Sequence, residues 1–289
     1  FRSKNSLPLA SLILVVTLFL SNILGVLRAH YLSQKIPTDT LSVYYAAFRI
    51  PDLLFNVLIL GAISAAFIPI FSGLINRKKE KEAWQVANSV INIAIVSLIT
   101  LCLILAILMP YIAPLFVPGF DRENKNLMVQ LARIMLASPI FFGLSYIFGG
   151  ILNSYKRFAV YSLAPLIYNL AIIFGTLFLA PRFGIMGVAW SVIIGAFLHM
   201  AIQIPVARHL GFRWQMVFDL KNAYVRKIGF LMLPRAIGLG ANQIMLICFT
   251  SIASVIGGSA VAVYNLADNI QTMPMVVFGT SLAMAIFPT

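Results

Sequence analysis

Residues 85–116 read QVANSVINIAIVSLITLCLILAILMPYIAPLF, an unbroken stretch without a single Asp, Glu, Lys or Arg. A helix needs about 20 consecutive apolar residues to cross the hydrocarbon core of a bilayer. This stretch exceeds that length and is far too long for a buried strand. The rest of the chain is built the same way. Its 289 residues are 61% hydrophobic and 10% charged, with a mean hydropathy of +0.96. A soluble domain runs at about 45–50% apolar and about 25% charged, so too little polar surface is present to cover a globule in water. The composition excludes an ordinary soluble enzyme, a disordered chain and a collagen-like chain. The ten-residue alternation of an outer-membrane barrel is also absent. The remaining class is an all-α polytopic membrane protein.

Working outward from that stretch, apolar runs predict eight spans, at 8–32, 42–75, 85–116, 127–152, 160–180, 187–208, 229–256 and 261–288. The loops between them set an orientation. With the N-terminus on the cytoplasmic side, the inner segments hold thirteen basic residues: Arg2, Lys4, Arg77, Lys78, Lys79, Lys81, Lys156, Arg157, Arg208, Arg213, Lys221, Arg226 and Lys227. The outer segments hold four: Lys35, Arg122, Lys125 and Arg182. The positive-inside rule then predicts a cytoplasmic N-terminus. The net charge of +13, which in a soluble protein suggests nucleic acid, is read here as topology, and no nucleic-acid partner is expected. Cys102 and Cys248 lie inside apolar runs without CxxC spacing, so neither a disulfide framework nor a metal site is expected. The first residue is Phe1 and the last apolar run ends at Pro288-Thr289, so the chain is expected to be a piece of a longer protein.

Charges at membrane depth are costly and face a protein-lined cavity or snorkel to the interface. Arg28, Arg49, Arg133, Asp52 and Asp268 all fall in the outer half by helix count, and Arg235 falls near the cytoplasmic end of its span. One reading is interfacial snorkelling with a local Arg49–Asp52 pair at i, i+3. The other is a basic cavity that receives an anionic head group. Prolines and glycines interrupt most spans, which membrane helices tolerate and transporters use as hinges. A weak internal repeat relates Ser64–Pro69 to Ala283–Pro288 at an offset of 219 residues. His199 is read as a packing residue on an apolar helix. No DxD, HExxH, GxSxG or Walker A pattern is present, so an enzyme is not expected.

Several stretches carry a resemblance. They are Asn153-Ser154-Tyr155-Lys156-Arg157-Phe158-Ala159 with Ala164-Pro165 and Asn169; Gly184-Ile185-Met186-Gly187-Val188-Ala189-Trp190 with Gly195, His199, Gln203 and Pro205; and Leu233-Pro234-Arg235 with Asn242-Gln243. Two more are Phe48-Arg49-Ile50-Pro51-Asp52-Leu53-Leu54 through Pro69, and Tyr264-Asn265-Leu266-Ala267-Asp268 through Pro288. In this order they resemble the MurJ/MviN family of lipid II flippases, within the MOP exporter superfamily. The resemblance implies a two-lobe, MATE-like fold of fourteen helices, of which about eight are present here. It implies an N-terminal lobe at 1–211, a cytoplasmic inter-lobe segment at 212–228 and the start of a C-terminal lobe at 229–289. It also implies a monomeric transporter in the bacterial cytoplasmic (inner) membrane, serving peptidoglycan biosynthesis. Its substrate would be the undecaprenyl-pyrophosphate-linked peptidoglycan precursor, moved by alternating access among membrane lipids and without a cofactor. Alternatives are an exporter of another lipid-linked oligosaccharide, a MATE-type drug antiporter or a non-transporting scaffold.

The residues expected to bind substrate are Arg28, Arg49, Asp52, Asn56, Arg235, Asp268 and Asn269. The chain departs from the family at Asn22, Ser42, Phe55, Asn56, Leu60, Asn269 and Thr272, where members commonly carry charge, and at Phe249, where some members bind sodium through aspartate. The expected cavity is therefore less charged than a typical member's.

Overall fold

The computed structural model describes residues 7–60 and 66–275. Among them eleven α-helices follow in order: α1 Leu7–Lys35, α2 Thr38–Leu54, α3 Ile68–Asn76, α4 Glu80–Phe116, α5 Arg122–Met135, α6 Ser138–Ser154, α7 Phe158–Phe174, α8 Ala180–Ala201, α9 Ile204–His209, α10 Ala223–Ile256 and α11 Ala260–Pro274. Two wider π-helical turns, Phe55–Leu60 and Gly175–Leu179, extend α2 and α7. Five helical runs among the described residues are long and apolar enough to cross a membrane: Ile13–Lys35, Glu80–Phe116, Arg122–Ser154, Phe158–His209 and Ala223–Ile256. The fourth is broken at Gly184, whose φ of 57° and ψ of −146° lie outside the helical region. Only glycine adopts that conformation freely; the break falls near the start of α8, and α7 and α8 pack against each other. The protein is an all-α, multi-pass membrane protein.

The eight expected spans map onto these helices with three corrections. The span placed at 127–152 is two helices, because Ser138-Pro139 starts a new one and the Ser138 hydroxyl caps back onto the Met135 carbonyl at 2.8 Å. The seventh span starts at Ala223 rather than 229, because the Asn222 side chain accepts the Tyr224 amide at 2.9 Å and caps the helix there. The spans placed at 42–75 and 261–288 appear as α2–α3 and α11. Residues 61–65 and 276–289 lie outside the described residues, and with them most of the compared repeat ends Ser64–Pro69 and Ala283–Pro288. Arg2 and Lys4 lie outside as well.

Packing follows the apolar pattern. α1 lies on α7, α2 on α5 and α11, and α6 on both α4 and α8. On α4, Leu103, Ile107, Tyr111 and Leu115 recur every fourth residue and are all more than half exposed. That stripe on the outside of a 37-residue apolar helix is a lipid-facing surface. The same helix contains Pro110, which has no N–H to give the Ala106 carbonyl. Arg133 on α5 supplies the missing donor, its Nε lying 2.8 Å from the Ala106 oxygen. An orphan carbonyl in lipid costs several kcal/mol, so this arginine has a structural duty.

The segment between α9 and α10 is pinned along α4. Gly211, with φ of 109°, turns the chain beneath Trp84. Beyond it the Asn88 side chain donates to the Arg213 carbonyl at 3.1 Å and accepts the Gln215 amide at 2.8 Å. Asn92 donates to the carbonyls of Gln215 and Val217 at 2.8 and 2.9 Å and accepts the Trp214 indole N–H at 3.1 Å. A connection of this length would otherwise be mobile. Two asparagines one turn apart fix it instead.

Candidate functional site

Four of the membrane-depth charges converge on one cavity of about 280 Å³. α1 contributes Arg28; α2 contributes Tyr44, Tyr45, Phe48, Arg49 and Asp52; α7 contributes Tyr168; α11 contributes Asn265, Asp268 and Asn269. The helix rise of 1.5 Å per residue sets the depth. From the Ile36–Pro37 turn between α1 and α2, Arg28 lies about 10 Å in, Arg49 about 16 Å and Asp52 about 21 Å. The lining of the cavity therefore extends well down the helices from that turn rather than clustering at their ends. Two arginines and two aspartates line it, so it is of mixed charge rather than purely basic.

Between that turn and the cavity, α2 is tied to α10 and α11 by a ladder of polar contacts. The Ser259 hydroxyl bonds the Asp39 carboxylate at the rim. One turn deeper, the Ser42 hydroxyl accepts the Ala262 amide at 2.9 Å. Deepest is Arg49, which is only 7% exposed. Its Nε donates to the Thr250 hydroxyl at 2.9 Å and its Nη2 to the Asn265 carboxamide oxygen at 2.8 Å. Asn265 is oriented for this by donating its own Nδ2 to the Val261 carbonyl. A buried guanidinium needs hydrogen-bond partners, and here two other helices each supply one. The local Arg49–Asp52 ion pair considered from spacing is not formed. Lys79 and Glu82 do form an ion pair, at 3.1 Å.

The seven residues singled out in the sequence thus divide. Arg28, Arg49, Asp52, Asp268 and Asn269 line the cavity. Asn56 does not: it sits in the π-turn and folds back to donate to the Asp52 carbonyl at 2.9 Å. Arg235 lies apart, on an exposed part of α10. It stands twelve residues, about 18 Å, from the true start of that helix, deeper than the expected boundary implied. Sequence reasoning gave no role to Asn265 or Tyr168. A signal for Asn265 existed, since it precedes Asp268 and Asn269 by three and four residues and so shares their helix face. Tyr168 carried none.

Two residues of the quoted motifs have framework roles. Asn169 donates to the Ser21 hydroxyl and carbonyl, at 3.3 and 3.4 Å, tying α7 to α1. His199 Nδ1 lies 2.6 Å from the Ser145 hydroxyl, and Gln203 bonds the same hydroxyl, joining α6 to α8.

Comparison with known proteins places this architecture. Residues 29–289 match the family model described as lipid II flippase MurJ. The probable lipid II flippase MurJ of Buchnera aphidicola subsp. Schizaphis graminum is 32% identical over 269 residues, covering 91% of this chain and 51% of that protein. A solved structure of lipid II flippase MurJ in an inward closed conformation shares the fold with a TM-score of 0.76 at 24% identity, over 91% of this chain and 55% of that one. A MOP superfamily transporter from Pyrococcus furiosus follows at a TM-score of 0.65 and 18% identity, over 95% of this chain and 62% of that one. The chain spans about half the length of the curated relatives it matches.

Proposed function

The chain belongs to the lipid II flippase MurJ family, and from that premise we propose that it forms the first part of a flippase for the undecaprenyl-pyrophosphate-linked peptidoglycan precursor in the bacterial cytoplasmic membrane. Residues 1–211 would be the N-terminal lobe, 212–228 the cytoplasmic connection and 229–289 the opening of the second lobe. The N-terminus faces the cytoplasm in this reading, since thirteen cations in the loops and helix ends then lie inside against four outside. The protein acts as a transporter and performs no covalent chemistry.

One observation carries the reading: a cavity partway along the spans, lined by Arg28, Arg49, Asp52 and Asp268 from helices far apart in sequence, beneath a polar ladder that closes it on one side. A polyprenyl tail can stay in the bilayer while its pyrophosphate and sugar head crosses. The head group needs a wet path with cations. Arginine suits the pyrophosphate because its planar fork donates two parallel hydrogen bonds to one phosphate. Arg28 is the residue for this role. Arg49 is engaged by Thr250 and Asn265 while the outer side is shut, and would be released to the cavity when α2 parts from α10 and α11. Alternating access then exchanges protein–protein hydrogen bonds at Arg49 for protein–substrate ones, which keeps the charge satisfied in both states.

The test is rescue of a bacterium depleted of its own lipid II flippase by the full-length protein carrying this sequence. Growth is expected, with Arg28→Ala abolishing it at equal membrane expression. Growth unaffected by Arg28→Ala would remove the assigned phosphate contact, and no growth with the unaltered protein would remove the substrate.

A further inference from the structure

Beside the mixed-charge cavity lies a second chamber of about 180 Å³. Its walls come from four helices, and its lining is of a different kind. Phe48 and Phe55 from α2 and its π-turn, Phe142 and Tyr146 from α6, and Tyr168 from α7 surround it. Four of these rings form a continuous wall: Phe55 stands 5.1 Å from Phe142 and 5.3 Å from Tyr146, centroid to centroid, and Phe142 stands 5.0 Å from Tyr168. The one acidic or basic side chain in that lining, apart from the imidazole of His199, is Asp52. His199 is held by the Ser145 hydroxyl and packed between Phe142 and Tyr146. Arg28 and Arg49 line only the neighbouring cavity, and Arg49 is turned to Thr250 and Asn265.

Aromatic rings around one carboxylate form a site for an organic cation. Ring faces carry negative charge and attract an ammonium held over them, most strongly where water is excluded. A carboxylate adds charge neutralisation that an apolar ligand cannot use. Asp52, Phe48 and Tyr168 line both spaces, so the two share one wall. An anionic group at Arg28 and a cationic group among the rings would be neighbours in one ligand.

We propose that this chamber is an ammonium subsite, and that the head group handled by the cavity pair is zwitterionic, carrying an alkylammonium beyond its phosphate. The proposal deepens the flippase reading and rests on it for the phosphate half alone. Primary and quaternary ammonium groups are recognised alike here, by rings and one carboxylate.

The test uses the full chain in nanodiscs of phosphatidylglycerol, with binding followed by calorimetry. The probes are choline, its neutral isostere 3,3-dimethylbutan-1-ol, inorganic pyrophosphate and phosphocholine. Choline is expected to bind saturably and the isostere at least tenfold more weakly. Phosphocholine is expected to bind at least tenfold more tightly than choline. Asp52→Asn and Phe55→Leu should each weaken choline by about tenfold, Phe55→Leu leaving pyrophosphate unchanged, while Arg28→Gln should weaken pyrophosphate and leave choline unchanged. Equal binding of choline and its isostere would overturn the proposal, as would the absence of saturable choline binding or an intact choline affinity in folded Phe55→Leu. Phosphocholine no tighter than choline would overturn the zwitterionic ligand. If Phe55→Leu does not fold, the isostere comparison on the unaltered chain still decides. Absence of pyrophosphate binding to the unaltered chain, with choline binding intact, would sink the flippase reading and spare the chamber.

Discussion

Arg49 on α2 donates from Nη2 to the Asn265 side chain on α11 at 2.8 Å, across 216 residues of sequence. With the Nε bond to Thr250, this one side chain holds three helices together at the depth of the cavity. Hydrogen bonds to charged groups contribute about 1.5–3 kcal/mol, which is about tenfold to a hundredfold in an equilibrium at about 1.4 kcal/mol per decade. Asn265→Ala is therefore predicted to shift the protein by at least tenfold toward a state in which α2 parts from α10 and α11. Distances between spin labels at the Thr38 end of α2 and the Ala260 end of α11 report this directly. An unchanged distance distribution would show that Arg49 is no latch.

Arg133 and Pro110 form a second testable pair. Arg133→Ala leaves the Ala106 carbonyl without a donor and is predicted to cost about 1–2 kcal/mol in thermal unfolding. Pro110→Ala restores a backbone N–H at the position the arginine serves. In that background the cost of Arg133→Ala should fall by more than half. A double-mutant cycle measures the coupling, and additive effects would remove the explanation.

The connection between α9 and α10 should loosen when its anchor is cut. Asn92→Ala frees the Gln215 and Val217 carbonyls and the Trp214 indole at once. At about 0.5–1.5 kcal/mol for each bond, trypsin cleavage at Arg213 and Lys221 is predicted to speed up by tenfold or more. An unchanged cleavage rate would mean that the apolar contacts of the segment suffice to hold it.

Lys156 takes a φ of 58° where α6 ends and the chain turns into α7. The Arg157 amide closes that turn on the Leu152 carbonyl at 2.8 Å. A left-handed conformation costs a side chain about 1–2 kcal/mol, while glycine bears its own entropy cost of about 0.5–1 kcal/mol. Lys156→Gly should thus stabilise the protein by about 0.5–1 kcal/mol, and Lys156→Ala should give no gain. Equal melting temperatures for both variants would contradict this.

Much of the fold was legible because lipid imposes one rule, that every backbone group be satisfied within its own helix. Apolar length therefore located the spans. It did not locate the π-turns at Phe55–Leu60 and Gly175–Leu179, which change hydrogen-bond register without changing hydropathy. It also missed the early start of α10, decided by a single capping asparagine. In the site, helix depth pointed to Arg28, Arg49, Asp52 and Asp268 but grouped Arg133 with them, which the fold turns to the Ala106 carbonyl instead. Their partners were not visible, because Arg49 finds Thr250 and Asn265 rather than the nearby Asp52. Phe55 read in sequence as a lost charge, and in the fold it is one wall of an aromatic chamber. That chemistry arises only once α2, α6 and α7 are brought together.

The most direct measurement is the amount of lipid-linked peptidoglycan precursor exposed on the outer leaflet of cells whose only flippase is the full-length protein carrying this sequence. Exposure at the level of the native flippase is predicted, falling to background with Arg28→Ala at equal expression. Background exposure with the unaltered protein, or full exposure with Arg28→Ala, would contradict a flippase that works through this cavity.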